Sequence, residues 1–325
     1  MKIRLWSCFA LAACALASGF ATAQVRDFPN KPVRIVVPSA PGAILDLIAR
    51  LVGPPMADAM GQGVVVDNRP GAGTNIGMEV VARAPGDGYT LLVASNGLTV
   101  NPGFYPKLPF DVQKDFAPVS LVLSGAPYLL VVHPSLPVQS VKDLVALAKA
   151  KPGSVNHSSG GYGTNIFMMG ALFKHLTGTD MLHVPYKSGG QALAGVITGE
   201  AGVTFFAVAA VLPQVKAGKL RALAITSTKR SALLPQLPTV AEAGVPGYEF
   251  TSWVGLLAPG TTPPHIVAAL NGYIQKAVPA SGMRERFAGE GADVGASSPE
   301  QFAAHIRSEL ARWSKVIKDL GLRAD

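Results

Sequence analysis

The chain has 325 residues, of which 49% are hydrophobic and 15% charged, with two cysteines and a formal net charge of +8. The length suggests two domains with ample cores, and the composition excludes a disordered or disulfide-stapled chain. The basic residues are scattered, with no dense run interleaved with aromatics, so nucleic acid is not an expected partner, and the charge mildly favours anions over cations.

Residues 1–23 stand apart. Lys2 and Arg4 precede a mostly apolar stretch from Leu5 to Phe20, and Ala21-Thr22-Ala23 fits the small-residue rule for cleavage before Gln24. This reads as a secretory signal peptide and predicts a periplasmic mature chain. Leu11-Ala12-Ala13-Cys14 also resembles a lipoprotein box, a second route that would leave a lipid-anchored form. Cys8 and Cys14 both lie in this segment, so cleavage after Ala23 leaves no disulfide, thiolate metal site or cysteine nucleophile.

The mature chain alternates short apolar runs with helical periods. A buried strand at Val33–Val37 leads through a glycine-bearing turn into a helix over Asp46–Met60. Val64–Asp67 is the next strand, Asn68–Thr74 a turn, Asn75–Arg83 a helix and Thr90–Ser95 a third strand. This βαβαβ order implies a parallel sheet covered by helices. The pattern restarts after Val122: strand Tyr128–His133, helix 141–150 with Ser140 as N-cap, strand Val155–Ser159, a second glycine-rich turn and helix Thr164–Leu176. Extended His183–Tyr186, helix Gln191–Thr198, strand Val203–Phe206, helix Val208–Ala217 and strand Arg221–Thr226 complete this section. A third section carries a strand at Thr251–Leu257 and helices opening at Pro263–Pro264, Ser281 and Pro299. Folding it back on the first section makes the chain cross twice, near Leu123–Ala126 and near Glu249–Thr251, which would form a hinge. The expected lobes are 24–125 with 251–325, and 126–250.

Each glycine-rich turn aims the N–H groups of a helix start past the carboxyl end of a strand, a ready anion site. Other chemistries are poorly supported. Gly71–Gly77 fails the dinucleotide fingerprint, because its third glycine falls one residue late and no ribose-binding acid follows; it reads as a tight turn lining a cleft. No G-x-S-x-G elbow is present, and no histidine has metal-ligand spacing with another ligand on one helix face. His157 deserves note only because it immediately precedes the second turn. Lys216, Lys219 and Arg221 read as a solvated helix end, Trp253 equally as cleft or core, and Trp313 as core or lobe packing.

The exported N-terminus, Lys31–Gly42, Val64–Gly73, Asp87–Leu92, Lys114–Val119, His183–Lys187, Gly218–Leu223, Leu237–Tyr248 and Trp253–Pro259, taken in this order, resemble the Bug-type extracytoplasmic receptors of the tripartite tricarboxylate transporter family. The resemblance runs from about residue 28 to the C-terminus. It implies an α/β fold, a two-lobed periplasmic binding protein of type II-like topology, with two parallel-core sheets and two interlobe crossovers. It further implies a monomer that holds a small carboxylate through backbone N–H groups, hydroxyls and waters, without cofactor, metal or catalysis, and delivers it to membrane permease subunits. The site residues it implies are Ser39, Pro41, Gly42 and Ala43 in the first turn; Gly73, Asn75, Ser95 and Asn96 after the next two strands; and Ser158, Ser159, Gly163, Thr164, Phe206 and Ala207 in the second lobe. Leu45, Phe167 and Phe206 stand where the family tends to carry polar residues, and Ala43 replaces a usual second glycine. These departures suggest a ligand with an apolar or aromatic body. An enzyme acting on a carboxylic acid, and a sensory co-receptor for the same solute, are the alternative functions.

Overall fold

The computed structural model describes residues 28–105, 107–288, 290–319 and 321–322. The signal peptide, its cleavage site, the alternative lipoprotein box and both cysteines lie outside the described residues.

Three strands, β1 (Val33–Val37), β2 (Val64–Asn68) and β3 (Thr90–Ser95), pair in parallel in the order β2-β1-β3. Between them run α1 (Ile44–Met60) and α2 (Asn75–Ala82), and α3 (Gly97–Phe104) follows. β9 (Thr251–Pro259) lies antiparallel to β3, so the third section returns to the first sheet. The second group comprises α4 (Val141–Ala150), β5 (Asn156–Ser159), α5 (Asn165–Thr177), β6 (Leu182–Pro185), α6 (Gly189–Ile197), β7 (Val203–Ala207), α7 (Val208–Lys216) and β8 (Arg221–Ile225). β5 pairs in parallel with both β6 and β7. The chain ends with α8 (Pro264–Ala280), the short α9 (Met283–Arg286), β10 (Asp293–Val294) and α10 (Pro299–Asp319).

One strand joins the two halves. β4 (Phe116–Val132) pairs with β9 from Phe116 to Pro127 and with β7 and β8 from Tyr128 to Val132. Its sequence hides this length. Pro118 has no N–H to donate, Gly125 is left-handed at φ 69°, and Pro127 interrupts again. Register shifts after Pro118, Leu121 and Leu123 absorb these residues as bulges. The second passage lies beside the first: Phe250 donates its N–H to Thr226 in one sheet and Thr251 opens β9 in the other.

Helices cover both faces of each sheet. α1 and α8 cover one face of the first through Leu45, Ile48, Val52, Leu270 and Ile274, and Met78, Leu98, Phe302 and Ile306 fill the other. α4 and α5 cover one face of the second, and α6 and α7 the opposite face. The α5 core also takes in Phe104 from α3 and Trp313 and Ile317 from α10. Trp313 tilts onto Phe250 at 5.3 Å between ring centroids, so it packs at the join between the halves, while Trp253 is core, edge-on to Phe302.

α3 has no helical signature, since Asn101-Pro102-Gly103 interrupts it. It forms because it packs on α10, where the bare Gly103 Cα admits the Ile317 side chain. The helix expected over Ser281–Ala288 shrinks to four residues, because Gly282 turns left-handed at φ 70° after the Ser281 C-cap of α8.

Candidate functional site

The first turn, residues 38–43, is built around a buried carboxylate. Asp46 occupies the first turn of α1 and accepts the Gly42 N–H at 2.9 Å. It also accepts Arg50 Nε at 3.0 Å and Asn68 Nδ2 at 3.0 Å. Asn68 Nδ2 bonds the Ser39 carbonyl as well, at 3.1 Å, so the end of β2 straps the end of β1. Burial opposes ionisation of Asp46, but these hydrogen bonds and the Arg50 charge outweigh it and hold the carboxyl below its ordinary range. Ala43, the N-cap of α1, provides no side-chain cap. Ser39 Oγ is buried without a partner among the described residues.

The next turn is left-handed over three residues: Ala72 at φ 46°, Gly73 at 61° and Thr74 at 82°. Two of these carry a Cβ, so the conformation is strained. Thr74 Oγ1 is buried and unpartnered, and Thr74 gives α2 no side-chain cap. From α3, Asn101 Nδ2 donates to the Gly73 carbonyl at 2.8 Å and to Asn75 Oδ1 at 2.7 Å.

The second glycine-rich turn, residues 159–164, is closed on itself. Ser159 Oγ accepts the Gly161 N–H at 3.0 Å, and Thr164 Oγ1 donates to the Gly161 carbonyl at 2.7 Å. Thr164 also caps α5 by accepting the Phe167 N–H. Its face meets the first half of the molecule. A Cβ on Gly73 would stand 3.0 Å from the Tyr162 carbonyl, and one on Gly163 would stand 2.6 Å from Asn101 Oδ1. Asn165, the first residue of α5, points its Nδ2 at Tyr128 Oη (3.2 Å), Ser252 Oγ (3.2 Å) and Asn96 Oδ1 (3.4 Å), where the two passages between sheets run.

Several expected site residues therefore have other roles. Leu45 is 3% exposed and belongs to the core under β1, because the second residue of α1 faces the sheet. Ser158 is fully buried and donates to the Ala192 carbonyl at 3.0 Å. The Asn96 amide is committed within the protein: it donates to the Thr251 carbonyl and accepts the Trp253 N–H, tying β3 to β9. Phe167 is 5% exposed and forms a ring cluster with Tyr162 (4.9 Å), His183 (4.8 Å) and Phe104 (5.4 Å). Of this cluster Tyr162 is exposed. Phe206 is half-buried between the two cores of the second sheet. Pro41 and Gly42 are exposed, Ser39, Ala43, Gly73, Ser95, Thr164 and Ala207 are not fully buried, and Gly163 is buried.

The two histidines behind the second turn are neutral. His157 accepts burial against the bare Gly170 Cα and pairs Nε2 with the Ile166 carbonyl at 3.1 Å. Burial and the neighbouring His183 pull its pKa down to about 3. His183 sits 2.7 Å from Ser159 Oγ, and burial with Lys174 lowers it to about 4. Arg221, one of the basic cluster, donates to the Val138 carbonyl at 2.9 Å. Among the described residues no group of histidine, cysteine or carboxylate side chains could hold a metal ion.

Sequence patterns gave no signal for Asn101, because α3 itself was illegible. Tyr162, Thr74 and Asn165 lie inside or beside the two recognised turns, and only the packing of the halves marks them out.

The family model of the tripartite tricarboxylate transporter family receptor matches residues 48–322. Protein BugT of Bordetella pertussis is 35% identical over 311 residues, covering 95% of each chain. The structure of Rpa4515 from R. palustris with adipate superposes with a TM-score of 0.84 at 36% identity, covering 92% of this chain and all of that one. MatC from Rhodopseudomonas palustris with bound malate gives 0.82 at 31% identity, covering 89% of this chain and all of that one.

Proposed function

The chain belongs to the tripartite tricarboxylate transporter family of receptors, with the two-lobed periplasmic binding protein fold, and we propose that it captures one small carboxylate between its lobes and hands it to membrane permease subunits. It acts by binding, not turnover. We assign residues 24–125 with 251–325 to one lobe and 126–250 to the other, and export to residues 1–23, with a mature N-terminus at Gln24. N-terminal sequencing of the periplasmic protein tests that last assignment.

One observation carries the reading. Side chains cap α4, α5, α6 and α10, at Ser140, Thr164, Ser188 and Ser298, while α8 and α9 have no side-chain cap at Pro263 and Gly282. The helices that start at the carboxyl ends of β1, β2, β3 and β7 have no side-chain cap, at Ala43, Thr74, Asn96 and Ala207. A helix start leaves its first N–H groups without intrahelical partners. Left open around Ser39 Oγ and Thr74 Oγ1, they suit an anion. Arg50 and Arg69 are paired with Asp46 and Asp67, so they do not supply a guanidinium fork. Adipate in Rpa4515 and malate in MatC support a carboxylate for this chain too.

The ligand body is proposed to be apolar or aromatic. Leu45 no longer supports this, since it is core. Tyr162, backed by the rings of Phe167 and His183, does, because a neutral aromatic wall favours apolar area by about 25 cal/mol per Å². Calorimetry and thermal shift with adipate, malate, citrate and benzoate test both parts. Any of the four raising the melting temperature with concentration supports the carboxylate site. Tight citrate binding with no response to benzoate or adipate overturns the apolar body.

A further inference from the structure

We infer that Asn101 is a positioning residue that fixes the polarity of the Asn75 side chain, so that lobe one presents an amide donor to its ligand. The inference rests on the carboxylate reading for its purpose, and on hydrogen-bond logic for its geometry.

A carbonyl oxygen only accepts. The Asn101 group that lies 2.8 Å from the Gly73 carbonyl is therefore the NH2, which fixes the orientation of the Asn101 amide. The same NH2 lies 2.7 Å from the Asn75 side chain, which must then accept through Oδ1. With Oδ1 held, Asn75 Nδ2 faces the opposite way, and it has no acceptor among the described residues. Asn75 is 7% exposed, and its nitrogen is absent from the fully buried unpartnered atoms, so the free donor reaches accessible space. Asn75 opens α2, whose third residue, Gly77, packs directly on Pro38 of the first turn. The donor thus belongs to the first residue of an uncapped helix that packs on the first turn. It is charge-neutral and preset in direction, which are properties needed to hold a carboxylate oxygen without an arginine.

Asn101 is suited to this role because nothing else can turn it. It is fully buried, both protons of its NH2 are used, and its unpartnered Oδ1 lies against the Cα of Gly163 in the other lobe. An aspartate there has no proton to give at neutral pH. It would accept from Asn75 Nδ2, flip that amide and turn an acceptor toward the ligand.

The test uses the mature protein, its Asn75→Ala, Asn101→Asp and Asn101→Ala variants and the double variant Asn75→Ala/Asn101→Ala, with adipate and benzoate as probes. Asn75→Ala and Asn101→Ala should each weaken binding about ten-fold or more, and the double variant should bind no more weakly than Asn75→Ala alone. Additive losses would show that Asn101 acts by another route and overturn the inference. A second arm needs no ligand: the Asn75 side-chain NH2 protons, read by NMR, should exchange freely in the unmutated protein and become protected in Asn101→Asp. Protection already present in the unmutated protein also overturns it. If neither probe binds the unmutated protein, the carboxylate reading fails on these probes, and the exchange arm alone decides the orientation of Asn75. Should Asn101→Asp not fold, exchange in the unmutated protein and in Asn101→Ala gives the same decision.

Discussion

The two glycine-rich turns look alike in sequence and differ in how their polar groups are satisfied. The first is held open from behind: Asp46, Arg50 and Asn68 brace it from the body of its lobe, and its N-cap, Ala43, contributes nothing. The second is closed from within by Ser159 and Thr164, and it reaches outward through Tyr162, Gly163 and Asn165. One turn leads into a helix start without a side-chain cap; the other keeps its shape and lies against the other half of the molecule. A strand-glycine-helix pattern therefore identifies a helix start near a cleft, but the capping residue decides whether that start is free.

The comparison breaks most visibly at Asp46. Replacing it with alanine removes the acceptor of the Gly42 N–H and of Arg50 Nε, and one of the two acceptors of the Asn68 amide. Loss of such a charged acceptor costs about 2 kcal/mol of stability, and relaxation of the turn should weaken carboxylate binding by about 100-fold. Asp67→Ala removes partly exposed pairs with Arg69 and Arg34 and should change stability by less than about 1 kcal/mol. Chemical denaturation and calorimetry on both variants check this. Equal effects would mean that the first turn has no special brace.

Gly42 and Gly163 offer the next contrast. Both are left-handed, at φ 83° and 75°. A Cβ on Gly42 meets nothing within 4 Å, whereas one on Gly163 meets Asn101 Oδ1. Gly42→Ala should show backbone strain alone, about 1 kcal/mol in stability. Gly163→Ala adds a steric block between the lobes and should weaken binding at least ten-fold. Small-angle scattering should then show less compaction with ligand for Gly163→Ala than for Gly42→Ala.

The neutral histidines behind the second turn make this part of the molecule acid-sensitive. His157 and His183 have folded pKa values of about 3 and about 4, against an ordinary value near 6.5. Between those limits the unfolded chain binds more protons than the folded one, so stability is full above about pH 6.5 and falls as the pH drops toward 4. Asp46, with its lowered pKa, adds a loss in the same direction below the ordinary carboxylate range. Melting temperature should fall by several degrees from pH 7 to pH 4.5, and the fall should shrink in a His183→Gln variant. An unchanged slope in that variant would place the acid sensitivity elsewhere.

How much of this was legible depended on the local code. β1 and β3 were readable to the residue, since they are uninterrupted apolar runs between turn signals. So was the cap Ser140, where an oxygen precedes a helical period, whereas Thr164, read as the first residue of its helix, is that helix's cap. The long β4 and α3 were not, because Pro118, Gly125 and Pro127 in one and Pro102 and Gly103 in the other break the pattern, and only tertiary packing restores the element. Leu45 and Phe167 were traced to positions beside the site, but a position near a loop does not fix the side on which a residue is buried. Asn101 belongs to the same class of invisibility: its importance lies in two hydrogen bonds to residues more than 25 positions away.

The smallest effect is the most discriminating. Thr164 caps α5 and bonds the Gly161 carbonyl, so Thr164→Ala removes both and should cost about 1 kcal/mol, a fall of about 2 °C in melting temperature for a chain of this size. If the second turn only keeps its own shape, carboxylate affinity in the variant should change less than about three-fold, since no ligand donor has been lost. If Thr164 instead contacts the carboxylate, affinity should fall about ten-fold or more for the same small loss of stability. Calorimetry with adipate beside a melting curve separates the two. A helix start with its cap removed has one more free N–H, so a modest gain in affinity would extend the rule drawn from the first turn to the second.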